Sequence, residues 1–124
     1  MNTLIKEFIE YNIDIIEKQQ WDELFKNWYM FNKDYYFDDM MEVLETAYDN
    51  IWNITYEARA RILQEIAVNV FTNLSFKSRI ITFEYIGGEL SSLMGFEGQD
   101  LINILDVSAR KVGLTRSTNG WYRV

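Results

Sequence analysis

Apolar residues recur at helical spacing from the start of the chain. Leu4, Ile5, Phe8, Ile9, Ile13 and Ile16 share one face of a helix over residues 3–18, while Lys6, Glu7, Glu10, Asp14 and Glu17 lie largely outside it. Thr3 is a plausible N-cap, and Lys18-Gln19-Gln20 is the expected break. Trp21, Leu24, Phe25 and Trp28 form the apolar face of a second helix over 21–31. A third follows from Asp34 to Asp49, with Phe37, Met40, Met41, Leu44 and Tyr48 on its inner side. After a connection at 49–54, Thr55 is a suitable cap for a fourth helix, whose stripe of Ile62, Leu63, Ile66, Val70, Phe71 and Leu74 marks it as the central core helix. The short connections favour antiparallel packing of neighbouring helices.

The pattern changes after residue 75. Residues 79–86 alternate as a strand would, with Ile81, Phe83 and Tyr85 against Thr82 and Glu84, yet they also suit a helix. A short helix is expected over 89–94, a turn at Gly95–Gly98, and a helix over 99–112 closed by Gly113 as its C′ residue. Residues 114–117 and 121–124 flank Thr118-Asn119-Gly120, and Asn-Gly between two strand-like runs signals a hairpin. The expected fold is mainly α with a small β part. A bundle of three to four helices is followed by a helix-turn-helix-like segment ending in a β-hairpin, all in one compact domain with an acidic helical half (1–74) and a smaller α/β half (75–124).

Charge sharpens the picture around the third helix. Asp34, Asp38, Glu42, Glu45 and Asp49 fall in an arc about 80° wide, with Asp39 beside it. No Lys or Arg occurs from Asp34 through Ala58, so the helix supplies no cations of its own. Its like-charged neighbours each cost about 0.2–0.5 kcal/mol in an isolated helix, and Glu45 and Asp49 oppose the dipole at its C-terminal end. The asymmetry extends beyond this helix. Of the net charge of −7, residues 1–50 carry −8 and residues 51–124 carry +1. An acidic surface of this kind attracts basic partners and repels nucleic acid and anionic membranes. Trp28, Tyr29, Tyr35 and Tyr36 flank the acids, as hot-spot anchors do at protein interfaces. These aromatics, with Asp34, Asp38, Asp39, Glu42, Glu45 and Asp49, form the expected partner-binding set. Exposed Tyr and Trp would also serve a homodimer seam.

The chain contains neither His nor Cys. The commonest general base, the commonest metal ligand and every thiolate site are therefore ruled out. The acids show no calcium-loop spacing, and no two of them stand apart as a catalytic pair. The expectation is a binding protein with no catalytic residues, no metal and no cofactor. The N-terminal stretch lacks the continuous apolar core of a signal peptide, so a cytoplasmic location is expected.

In size, charge and lack of catalytic equipment, the chain resembles bacterial immunity proteins that neutralise nuclease-type toxins, such as those of contact-dependent inhibition systems. The resemblance is one of general character and carries no motif. It implies a basic protein partner, a nuclease toxin or other nucleic-acid-binding effector, whose active cleft the acidic face covers. A phage-encoded inhibitor of a nucleic-acid-targeting defence complex, of the anti-CRISPR kind, has the same physical character. A different class is suggested by Leu90-Ser-Ser-Leu-Met-Gly-Phe followed by Gln99-Asp-Leu-Ile-Asn-Ile-Leu and the hairpin. This order resembles a winged helix-turn-helix, including the C-terminal modules of some phage antirepressors, and implies a DNA-binding regulator. Arg110, Lys111, Arg116 and Arg123 favour that reading, whereas Glu97, Asp100 and Asp106 on or beside the recognition helix oppose it.

Overall fold

The computed structural model describes residues 3–32, 36–91 and 93–123. The chain is mainly helical with a small antiparallel sheet near its C-terminus, and it divides into two compact units, residues 1–62 and 63–124. The division falls within the fourth helix, between Ile62 and Leu63.

The first unit begins with α1 (Thr3–Tyr11) and α2 (Ile13–Glu17), where one continuous helix was expected. Asn12 makes the break. Its side-chain Nδ2 donates to the Phe8 carbonyl at 2.8 Å, and its Oδ1 accepts from Asn27 Nδ2 at 2.8 Å. An Asn side chain that competes for backbone groups in this way ends a helix that periodicity alone would continue. Ile5, Phe8 and Ile16 remain buried, while Leu4 and Ile13 are left partly exposed.

Trp21–Asn32 forms α3 and Phe37–Glu45 forms α4. The acidic helix is therefore shorter than expected. It stops at Glu45, Thr46 Oγ1 donates back to the Val43 carbonyl at 2.7 Å, and Asp49 lies in the following turn. The segment 51–54, expected to be a connection, forms the short helix α5 (Ile51–Ile54). Aromatic rings knit this unit together. Trp28 meets Phe8 edge-on at 5.1 Å and Phe37 at 6.0 Å, and Phe37 meets Phe25 at 5.8 Å and Trp52 at 6.1 Å. Trp21 stands edge-on to Tyr48 at 5.4 Å, and the Tyr48 hydroxyl donates to the Ile16 carbonyl at 3.0 Å.

Tyr56–Ser75 forms α6, which begins after Thr55 as expected. Thr55 does not cap it in the usual way. Its buried hydroxyl donates to the Ile51 carbonyl at 2.8 Å and accepts from Arg59 Nε at 3.1 Å.

In the second unit, residues 79–86 satisfy both sequence readings in turn. Ile80–Thr82 is strand β1 and Phe83–Leu90 is helix α7. Thr82 marks the switch, since its Oγ1 accepts from the Tyr85 backbone N–H at 3.3 Å and caps the helix. The helix expected at 89–94 thus lies earlier and ends at Leu90. Gly95 and Gly98 take positive φ in the turn before α8 (Gly98–Lys111). At the end of α8 the Gly113 N–H bonds to the Arg110 carbonyl and the Leu114 N–H to the Ala109 carbonyl, each at 3.0 Å, with Gly113 at φ 88°. This is the Schellman closure predicted for Gly113.

Strands β2 (Thr115–Arg116) and β3 (Gly120–Tyr122) form the hairpin, and β1 joins the other side of β3, so the sheet order is β1-β3-β2. The turn is centred on Thr118-Asn119, closed by Ser117 N–H to the Gly120 carbonyl at 2.8 Å. Gly120 is needed for a different reason from the turn. It pairs with Thr82, and a side chain there would collide with the Ile81 carbonyl. Trp121 fills the core, packed edge-on against Phe71 at 5.0 Å and Phe83 at 4.9 Å.

Candidate functional site

The exposed face of α4 carries the candidate site. The buried Phe37, Met40, Met41 and Leu44 fix the inner side of this helix. With that side fixed, Asp38, Asp39, Glu42 and Glu45 are all exposed, and Asp49 is exposed in the turn beyond. Asp38 and Asp39 lie in the first turn, where the helix dipole favours them. Glu42 and Glu45 have no such compensation. None of these acids makes a salt bridge among the described residues. Asp34 and Tyr35 fall outside the described residues.

One cation approaches the face from outside the helix. Arg59 of α6 is buried, with its Nε bonded to Thr55 Oγ1 at 3.1 Å and an Nη donating to the Trp52 carbonyl at 2.7 Å. Its guanidinium lies 4.9 Å from the centre of the Trp52 ring and 5.8 Å from that of Tyr56. Burial lowers the Arg59 pKa from its ordinary value, and the nearby Tyr56 and Asp38 oppose that shift. The acidic stripe has no cation of its own, as the sequence showed, but the fold places this one near Asp38. That placement also accounts for an arginine in the first turns of α6, where the dipole disfavours it.

The aromatic anchors divide sharply. Trp28, expected on the binding face, is only 1% exposed and belongs to the aromatic core. Apolar periodicity already placed it on the inner side of α3, and that signal outweighs proximity in sequence to the acids. Tyr29 is half-buried. Tyr36 stands out, 61% exposed and at φ 32°, ψ 58° immediately before α4. Left-handed backbone is uncommon for a bulky residue, and such outliers gather at functional sites.

Two exposed residues absent from the expected set lie close by in sequence, Met30 at 70% and Phe31 at 72% exposure on the last turn of α3. They fall outside the Trp21–Trp28 stripe, and an apolar pair off the stripe was the signal for them. Phe31 also borders an apolar groove with Leu4, Phe8 and Tyr11 between α1 and α3.

A different arrangement occupies the second unit. Gln99, Asn103, Val107 and Arg110 form an exposed stripe along α8, and Gln99 Nε2 donates to Asn103 Oδ1 at 2.8 Å. Asp106 lies at the edge of that stripe. It accepts from Trp121 Nε1 at 3.0 Å and pairs with Arg110 at 2.9 Å, with Arg116 at 3.9 Å. This carboxylate therefore ties α8 to the hairpin. It does not confront an incoming ligand as an unpaired charge.

Among the described residues no group of three acids is placed to hold a metal ion, and no helix is long and apolar enough to cross a membrane. Comparison with protein-family models, with curated proteins and with solved structures finds no match to this chain.

Proposed function

We propose that this chain is a small acidic binding protein that neutralises a protein partner by laying the exposed face of α4 over a basic active cleft. Its partner in this reading is a nuclease-type toxin, and the chain is the matching bacterial immunity protein. The observation that carries the reading is the pairing of exposed carboxylates that make no salt bridge among the described residues with exposed apolar residues next to them in sequence. Asp38, Asp39, Glu42 and Glu45 supply the field, while Met30, Phe31 and Tyr36 supply area that desolvates on contact. Charge of this kind speeds encounter and suppresses wrong partners, and the apolar anchors slow release. A phage-encoded inhibitor of a nucleic-acid-targeting complex would use the same physics.

Protection assays test this directly. If the neighbouring gene encodes a nuclease-type toxin domain, cells expressing that domain are expected to grow only when the wild-type chain is co-expressed, and a neighbouring gene without such a domain counts against the reading. The Asp39→Lys/Glu42→Lys/Glu45→Lys variant, which spares Asp38 near Arg59, keeps its helical circular dichroism but loses protection. Full protection by that variant removes the acidic face from the reading. Absence of binding between the wild-type chain and that nuclease removes the immunity role itself.

A second reading is a DNA-binding regulator, favoured by two helices, α7 and α8, set between β1 and the β2–β3 hairpin of one sheet, and by the amide-bearing stripe on α8. Asn and Gln side chains read adenine in the major groove. Retardation of duplex DNA at low salt, weakened by Arg110→Ala/Lys111→Ala, is its expected signature, and no retardation at low salt ends it.

A further inference from the structure

At one end of the three-stranded sheet, the chain leaving α6 and the end of β3 enclose an open basin of about 500 Å³ lined by Ser75, Phe76, Lys77, Ser78, Arg79 and Arg123. Three of these six residues are cationic and none is acidic. Arg79 and Arg123 are held side by side because the Arg123 N–H bonds to the Arg79 carbonyl at 3.1 Å, extending the β1–β3 ladder by one step. Like charges on facing strand positions repel, and none of the three cations makes a salt bridge among the described residues. Lys77 has a local reason to be there, since it follows the carbonyl end of α6. The two arginines have no such reason. Phe76 is 78% exposed on the rim, an apolar ring that the core does not use.

We propose that this basin binds a nucleotide, with Arg79, Arg123 and Lys77 holding its phosphate and the Phe76 ring stacking on its base. Arginine's planar fork matches phosphate oxygens two at a time, and Lys adds a point charge. An exposed aromatic beside such cations is the stacking platform that single-stranded nucleic acids use. The concavity favours a slender phosphate chain over a flat lipid surface. The proposal is independent of the acidic face on α4 and of the α8 stripe, and it concerns different residues from both.

The test is a set of amide chemical-shift titrations on the full chain with three probes: pyrophosphate, ADP and a single-stranded dT12. All three are expected to shift the amides of Lys77, Ser78, Arg79 and Arg123. If the source is a nucleic-acid strand, dT12 binds at least tenfold tighter than ADP, with a log–log salt slope of about −2 for three neutralised phosphates. If it is a free nucleotide, ADP binds as tightly as dT12. Phe76→Ala is expected to weaken ADP and dT12 at least fivefold while leaving pyrophosphate unchanged. Arg79→Ala/Arg123→Ala is expected to weaken all three at least tenfold. Both positions are exposed, so the variants keep the parent's circular dichroism. The proposal is overturned if these amides do not shift, if the shifts map to α8 and the hairpin turn, or if Phe76→Ala weakens pyrophosphate as much as ADP.

Discussion

At the scale of single residues, two arginines in α6 do opposite jobs. Arg59 is buried, with its Nε donating to Thr55 Oγ1, an Nη donating to the Trp52 carbonyl, and the Trp52 ring against its guanidinium. A lysine carries the same charge but cannot present that fork, and its ammonium stays more strongly hydrated. Arg59→Lys is therefore expected to cost about 1–3 kcal/mol in urea unfolding, because buried acceptors lose their donors. Arg61 lies on the surface, bonded through Nε and an Nη to the two oxygens of Asp22 at 2.9 and 2.8 Å. These hydrogen bonds hold the Asp22 carboxyl below its ordinary value near 3.8, against a smaller opposing effect of burial. Because the folded-state value is the depressed one, the pair stabilises the fold above that ordinary value and stops doing so as pH falls through the lower one. Both side chains are about half exposed, so Asp22→Asn is expected to cost less than about 1 kcal/mol at neutral pH. Unfolding curves of variant and parent should converge once the pH has fallen below the lowered pKa of Asp22. A difference that persists there would mean that Asp22 acts by packing and not by charge.

Among the elements, those set by a single periodicity were legible in the sequence, whereas those set by one polar side chain were not. Helices α3, α6 and α8 follow their apolar stripes, and the Gly113 closure follows from its residue type. The break at Asn12 is made by a side chain that bonds to the Phe8 carbonyl and is held in turn by Asn27, fifteen residues away, a partner that apolar periodicity does not encode. The joint strand and helix character of residues 79–86 became decidable only through Thr82, which ends β1 against β3 and caps α7. The acidic stripe was legible as charge, but Arg59, whose charge Asp38 favours, comes from another helix. In the second unit the sheet and its junction with α8 depend on two positions. Gly120 lies against the Ile81 carbonyl, so Gly120→Ala is expected to destabilise that unit by about 3 kcal/mol or more, seen as early loss of the Trp121 near-ultraviolet signal on heating. Asp106 accepts the buried Trp121 indole N–H while pairing with Arg110 and Arg116. Asp106→Ala strands that donor and is expected to cost about 1–3 kcal/mol. If Asp106→Ala is neutral instead, the carboxylate is a solvated charge and α8 and the hairpin hold their arrangement without it.

Across the whole molecule, negative charge is concentrated in one unit. Residues 1–62 carry thirteen acids and six bases, and residues 63–124 carry six of each, so the first unit bears the entire net charge of −7. Self-repulsion of this size works against the compact state. A face kept for stability alone would dilute it with cations, as ordinary solvated helices do. A face kept for a partner would retain the repulsion and gain it back on binding. Neutralising part of the stripe separates the two. Glu42→Gln/Glu45→Gln leaves the first-turn acids Asp38 and Asp39 in place, and it removes like-charge contacts together with the carboxylate that opposes the α4 dipole. The variant is expected to be more stable than the parent by about 0.5–1 kcal/mol in low salt, with the gain shrinking as salt screens the parent's repulsion. In the protection assay it should be weaker than the parent. Stability that rises while protection falls is the pattern of residues retained for binding at a cost to the fold. A variant that is less stable than the parent at low salt would show that the stripe supports the fold and would take away the physical ground for reading it as a binding face.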